Sequence, residues 1–343
     1  MKALVLKEYN RLEYEEVPDP VVGPEDVLIR VKACGICGSD VHGMDGSTGR
    51  RIPPITMGHE ASGVVAETGA RVTSWKAGEH VTFDSTISCG TCRFCQRGQV
   101  NLCDHRRVLG VSCAEYRQEG AFAEYVAVPA HTLYRVPEDL SFERAAMVEA
   151  VSIAVHAVGR ARILLNDSAL VVGVGTIGVL VVQALRLAGC GRIIAVDLDQ
   201  ERLDLACRLG ADGGLRADAR DAASTVRSRC GGAGADLAFE VVGREETLAL
   251  ALAGLRKGGA LTLIGNLSRS VALPLQEVVT RELSLHGSCA SAGEYPTCLD
   301  LLARGKVRVD ELISAVVPLA EGASWFGRLH RGESGLRKVI LVP

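Results

Sequence analysis

The sequence predicts an α/β protein of two domains, one of them a doubly wound parallel sheet. Three observations carry this prediction. The chain has 343 residues, long for a single domain. Its first part alternates at strand period, as in "DVLIRVKA", "ASGVVAE" and "EYVAVPA". From about residue 165 short apolar strands alternate with helical stretches behind a glycine-rich turn.

Composition fits a soluble chain able to bury real cores, with 48% hydrophobic and 23% charged residues. A net charge of −3 advertises no nucleic-acid partner. Lys7, Glu8 and Arg11 break any apolar run that a signal peptide would need. The most apolar stretch, "ALVVGVGTIGVLVVQALRLAGC", has glycines at loop spacing and is interrupted by Gln183 and Arg186, so no membrane segment is expected. These features predict a cytoplasmic protein. In that compartment twelve cysteines favour metal ligation over disulfides.

"CGTCRFCQRGQVNLC" sets Cys89, Cys92 and Cys95 at C-x-x-C-x-x-C, with Cys103 after seven more residues. Thiolates so spaced can converge on one tetrahedral zinc at about 2.3 Å each. Gly90 and Gly98 permit the turns, and the segment has few apolar residues to hold it otherwise. A nucleic-acid-binding ribbon would use the nearby Arg93, Arg97, Arg106 and Arg107, but the overall charge argues against it. A structural zinc is the reading.

A second set lies upstream. Cys37 in "CGICGSDVHG" and His59 with Glu60 in "MGHEASG" offer S, N and O donors that a fold would have to bring together. Three protein ligands with a fourth position open suit a catalytic zinc. Taken singly, each has a plainer explanation as a small core or hydrogen-bonded residue.

In "ALVVGVGTIG" the strand Ala169 to Val172 runs into Gly173, Gly175 and Gly178, the pattern G-x-G-x-x-G. Ile177, Val181, Ala184, Leu185 and Ala188 then recur at helical spacing until Gly189 and Gly191. "RIIAVD" forms the next strand, ending on Asp197 nineteen residues after Gly178. Such a turn seats a pyrophosphate on the helix N-terminus, and the acid accepts hydrogen bonds from the adenosine ribose. Asp197 would repel a 2′-phosphate and no Arg or Lys follows at 198–200, so NAD is favoured over NADP. Thr176, Ile177 and Arg202 are counted with the cofactor-binding residues. Strands at "DLAFEVV", "ALTLIGN" and "LSLHGS", with helices at "REETLALALAGL" and "QEVVTREL", complete the sheet.

The cysteine lobe, the Cys/His/Glu set and the dinucleotide turn, in that order, resemble the zinc-containing medium-chain dehydrogenases over essentially the whole chain. "GICGSDVHG", "GHEASGVV", "GAFAEYVAVP" and "GVGTIG" carry the resemblance. "MVEAVSIAVHAV" is similar to the polyol and sugar-alcohol members, with Glu149 where simple alcohol dehydrogenases have a cysteine ligand. Ala150 departs from the proline usual after that glutamate.

The resemblance implies a discontinuous, irregular GroES-like β-barrel of residues 1–150 and 291–343 carrying both zinc sites. A Rossmann NAD domain of residues 151–290 is inserted in it, with the active site in the cleft. It implies hydride transfer between a secondary alcohol or polyol and NAD, with zinc held by Cys37, His59 and either Glu60 or Glu149. Ser39 would pass the alcohol proton through the cofactor ribose to His42, and Lys338 in "LRKVILVP" would reach the cofactor pyrophosphate. A homodimer or homotetramer is expected, paired through the edge of the sixth strand of the NAD domain. Arg50 and Arg51 either contact a phosphorylated or acidic polyol or, more simply, are solvated loop charges. The competing reading is a non-catalytic NAD-binding protein with only the structural zinc.

Overall fold

The computed structural model describes residues 1–343, which divide into two compact units: Met1–Glu149 with Ala292–Pro343, and Ala150–Ser291.

The first unit is built on a seven-stranded sheet. Its central strand is Asp26–Gly35, whose alternating Val27, Ile29 and Val31 are buried. This strand pairs antiparallel with Glu60–Thr68 and Tyr125–Pro129, and with the C-terminal strand Lys338–Val342. Lys338–Val342 pairs parallel with Ile313–Pro318, and His80–Phe83 and Leu133–Arg135 extend the other side. A three-stranded sheet of Arg11–Glu16, Lys2–Glu8 and Ile55–Thr56 packs into the same core, where Leu4, Leu6, Phe83, Phe122 and Phe326 are buried. The Phe122 and Phe326 rings meet edge to face with centroids 5.6 Å apart, an arrangement their quadrupoles favour.

The second unit is a six-stranded, all-parallel sheet. In order across it lie Gly213–Arg216, Arg192–Asp197, Ser168–Val172, Ala235–Glu240, Leu255–Leu263 and Ser284–Gly287. Numbered along the chain this is 3-2-1-4-5-6, the doubly wound order that opens a crevice where the first strand neighbours the fourth. The expected α/β class holds. The strand Gly213–Arg216 and the helices Gln200–Arg208 and Ala222–Arg229 were not anticipated. "GGLR" offers no apolar run, and its placement is decided by pairing with Ile194–Asp197. The strand Leu255–Leu263 also begins five residues before its apolar run, taking in "LRKGG". No helix is long and apolar enough to cross a membrane.

Asp84 follows the strand His80–Phe83 and is 6% exposed, its Oδ1 accepting from the Thr86 N–H at 2.8 Å. Burial pushes its carboxyl up to about 6. The unfolded chain releases that proton near pH ~3.9. Between those values the folded state holds more protons than the unfolded, so stability falls as pH rises and the loss is complete above about 6. Asp84→Asn is therefore expected to raise the melting temperature at pH 8 and leave it unchanged below pH ~4. Calorimetry at the two pH values checks this, and an equal effect at both would contradict it.

Candidate active site and metal centres

In the cysteine lobe, the four sulfurs of Cys89, Cys92, Cys95 and Cys103 lie within 4.8 Å of one another. Cys92 and Cys95 are 3.5 Å apart and Cys89 and Cys95 4.0 Å. Sulfurs around a tetrahedral zinc stand about 3.8 Å apart, whereas a disulfide needs about 2.05 Å. No two of the twelve cysteines are joined in a disulfide. Backbone N–H groups are already turned toward the sulfurs: Cys89 and His105 donate to Cys103 Sγ, and Cys92 donates to Cys89 Sγ. Donation from Thr91 and Cys92 lowers the Cys89 thiol to about 6, whereas burial and the neighbouring sulfurs raise Cys95 to about 11. The donor set therefore fits a closed four-thiolate zinc.

The second set forms where two segments meet. Cys37 caps the short helix Gly38–Met44, directly after the central strand. His59 and Glu60 stand at the entry to the strand Glu60–Thr68, which is registered with Gly35 opposite Glu60. One donor atom each from Cys37, His59 and Glu60 falls within a mutual 4.8 Å. His59 is 6% and Glu60 1% exposed. Glu60 Oε2 accepts from Lys338 Nζ at 2.5 Å, while Oε1 is buried with no hydrogen-bond partner. A buried carboxylate oxygen without a donor is expensive unless a cation faces it, so this donor set also fits a divalent metal.

Glu149 stands outside the 4.8 Å set, on the first turn of the helix Val148–Gly159. Burial pushes its carboxyl up to about 7, with His59 pulling down and Glu60 pushing up. Of the two glutamates considered as third ligand, Glu60 is the one this geometry brings to Cys37 and His59.

Sequence reasoning missed Asp40. It is fully buried, its Oδ2 accepts from the Cys37 N–H at 3.3 Å, and its Oδ1 lies 3.3 Å from His59 Nδ1. With Nδ1 turned to Asp40, Nε2 is the nitrogen left for a metal. Burial alone would raise the Asp40 carboxyl, yet His59 and Arg51 hold it well below the usual carboxylate range. Burial would likewise lower the His59 imidazole, but Asp40 and Cys37 hold it well above its ordinary value. The "SD" after "CG" was the only available signal, and an aspartate on a short helix is more often a cap.

Lys338 and Arg51 are both buried and paired with carboxylates. Lys338 is 3% exposed, and its ammonium goes to Glu60 Oε2 and to the Ile36 carbonyl at 3.1 Å. It is an internal counter-charge of Glu60. Burial would lower its pKa, but Glu60 and Cys37 more than offset that. Arg51 is not a solvated loop charge. It is 4% exposed, and Nη2 donates to Asp40 Oδ1 at 3.0 Å. Ser39 and His42 are exposed, three residues apart on one face of the helix Gly38–Met44. Arg50 is exposed as well.

In the second unit the glycine turn joins the strand Ser168–Val172 to the helix Thr176–Leu187. Gly173 has φ +88°, and a Cβ on Gly178 would run into the Gly173 carbonyl oxygen. A Cβ on Gly175, by contrast, would meet no protein atom within 4 Å, so packing does not demand that glycine; a ligand against the backbone would. Gly175 caps the helix without a side-chain acceptor, leaving first-turn N–H groups for an anion. Thr176 and Ile177 follow it, partly exposed. Asp197 Oδ2 accepts from the Val174 N–H at 2.8 Å, which ties the acid to the turn. Arg202 Nη1 lies 3.9 Å from Asp197 and Nε 3.7 Å from Asp199.

Comparison with known proteins agrees with this arrangement. Residues 23–138 match the alcohol dehydrogenase GroES-like domain and residues 176–304 the zinc-binding dehydrogenase family. The chain is 35% identical to an L-threonine 3-dehydrogenase of Bacillus velezensis, covering 100% of this chain and 99% of the relative. It is 30% identical to a sorbitol dehydrogenase of Bacillus subtilis, covering 100% and 97%. Among solved structures, a zinc-binding dehydrogenase of Sinorhizobium meliloti bound to NADP superposes with a TM-score of 0.91 at 32% identity, covering 100% and 99%. The chain belongs to the zinc-binding medium-chain alcohol and polyol dehydrogenases, a family of nicotinamide-linked oxidoreductases.

Proposed function

We propose that the protein oxidises a secondary alcohol, a polyol foremost, with NAD as hydride acceptor. The carrying observation is the convergence of Cys37, His59 and Glu60, with one buried Glu60 oxygen left without a donor. In this reading those three residues hold the catalytic zinc, and Cys89, Cys92, Cys95 and Cys103 hold the structural one. Zinc at the first site supplies Lewis-acid chemistry that brings an alcohol hydroxyl into the titration range of neutral solution.

The chain's own residues do the rest. Asp40 fixes the imidazole of His59 and the backbone of Cys37, so the donors are oriented before substrate arrives. Lys338 pairs with Glu60 through Oε2 and leaves Oε1 without a donor, where it would be available to the metal. Glu149, raised to about 7, is the nearby acid and base through which a proton can be held. Ser39 and His42 form the outward proton path, one hydroxyl and one imidazole on an exposed helix face. Gly173, Gly175, Thr176, Ile177 and Gly178 receive the pyrophosphate, and Asp197 the ribose. Because Arg51 is already engaged by Asp40, an unphosphorylated polyol is the better substrate class.

The same proposal covers assembly and location. The strand Ser284–Gly287 is a sheet edge, and Val271, Leu273, Leu275 and Val279 just before it expose 40–65% of their surface. That combination supports pairing between copies of the chain, as a homodimer or homotetramer. Twelve cysteines without a disulfide among them support a reducing, cytoplasmic location.

Purified protein is expected to carry two zincs and to reduce NAD with at least one member of a panel of polyols and short diols. Cys37→Ala should lower turnover roughly a thousandfold or more while NAD affinity stays, since several kcal/mol of transition-state stabilisation leaves with the metal. One zinc per chain and no turnover would instead favour a non-catalytic NAD binder. Asp197→Ala is expected to narrow the kcat/KM preference for NAD over NADP by roughly tenfold or more, because a like-charge clash is removed. An unchanged ratio would shift the discrimination to Arg202 and its neighbours.

A further inference from the structure

We propose that Arg51 is a positioning residue of the Cys37–His59–Glu60 metal site, acting through Asp40. The inference rests on the reading of those three residues as metal ligands. The two oxygens of Asp40 address two of the ligands, Cys37 through its backbone N–H and His59 through Nδ1. A carboxylate with no exposed surface holds its charge and place only against a cation. Arg51 provides that cation at 3.0 Å, on the same Oδ1 that faces His59.

The guanidinium is itself fixed. Its Nη1 donates to the Arg50 carbonyl at 3.0 Å, and its backbone bridges to Ser112 while the Ile52 N–H donates to the Ser112 carbonyl. The aliphatic stem lies against the helix Gly38–Met44 at Gly43, where an added Cβ would run into Arg51 Cγ. That glycine has an ordinary φ, so the close approach of Arg51 is the reason a side chain is excluded there. Helix, aspartate and arginine thus form one unit. Arg51 locks Asp40, and Asp40 locks the two ligand residues from opposite segments. Being planar and held at two points, the guanidinium fixes where Asp40 Oδ1 stands.

The test compares wild type with Arg51→Met, Arg51→Lys and Gly43→Ala. Zinc content is read by native mass spectrometry, zinc release into a chelator by stopped flow, and site geometry by the visible spectrum of the cobalt-substituted protein. In Arg51→Met one zinc should leave about 10–100-fold faster than in wild type and the cobalt bands should shift, the penalty typical of losing an outer partner of a metal ligand. The zinc of the four cysteines should release at the wild-type rate, which also reports an intact fold. Gly43→Ala should act in the same direction without a change of charge, and Arg51→Lys should restore part of the loss.

Wild-type release rates and cobalt bands in both Arg51→Met and Gly43→Ala would overturn the proposal. So would loss of both zincs together in Arg51→Lys and Gly43→Ala, which would make the arginine a general structural element. Should Arg51→Met alone fail to fold, those two variants decide. A wild-type chain that holds only the four-cysteine zinc would overturn the metal-site reading itself, before any substitution is made.

Discussion

Crowding of negative charge is the constraint on which the candidate site depends. The buried carboxylates of Asp40 and Glu60 stand beside the half-buried Cys37, with Glu149 close enough to feel the same field. Leaving one such group without a cation costs several kcal/mol. The fold answers with two cations drawn from elsewhere in the chain. Arg51 faces Asp40, and Lys338 reaches Glu60 from 278 residues away. Glu60 Oε1 is left without a donor, and a divalent ion held there with Cys37 and His59 would supply the missing partner.

Delivering those cations shapes the first unit. The central strand Asp26–Gly35 leads straight to Cys37, and the C-terminal strand pairs with it at Gly35 and Ile340. Gly35 also lies opposite Glu60, where a Cβ would stand 2.5 Å from Glu60 Oε2 and 3.4 Å from the Lys338 stem. The glycine clears the space in which the ion pair forms. This gives a physical reason for the last strand of the chain to return to the first unit: without Lys338–Val342 beside Asp26–Gly35, Glu60 would lose its partner.

Local pattern revealed what is local. Four cysteines at turn spacing, and G-x-G-x-x-G between an apolar strand and an amphipathic helix, each lie within a few turns of chain and bring their own geometry. The strand Gly213–Arg216 stayed hidden because it carries no apolar alternation and exists through its neighbour. Arg51 and Lys338 were legible as charges but not as partners. Their pairing with Asp40 and Glu60 is set by strand register and the path of one loop, which neither composition nor period encodes. Buried charged residues are rare enough that exposure is the sensible expectation from sequence, and the site is where that expectation fails.

The two cations differ in a way that suits their positions. Asp40 needs a fixed orientation, because both of its oxygens are committed to ligand residues, and the planar fork of Arg51 is held between Asp40 and a backbone carbonyl. Glu60 needs neutralisation on one side only. The lysine ammonium is a compact point charge that takes Oε2 and leaves Oε1 turned away. Coordination of a metal through Oε1 would therefore be compatible with the ion pair, which uses Oε2. The four-cysteine lobe makes the contrast plain. There N–H donors and sulfurs close on one another with every ligand position supplied by the protein, as a structural metal requires. At Cys37, His59 and Glu60 the protein supplies three donors and spends its charged residues on orienting them. A metal held by three such donors would keep a coordination position for a substrate oxygen, which is the property that separates a reacting centre from a staple.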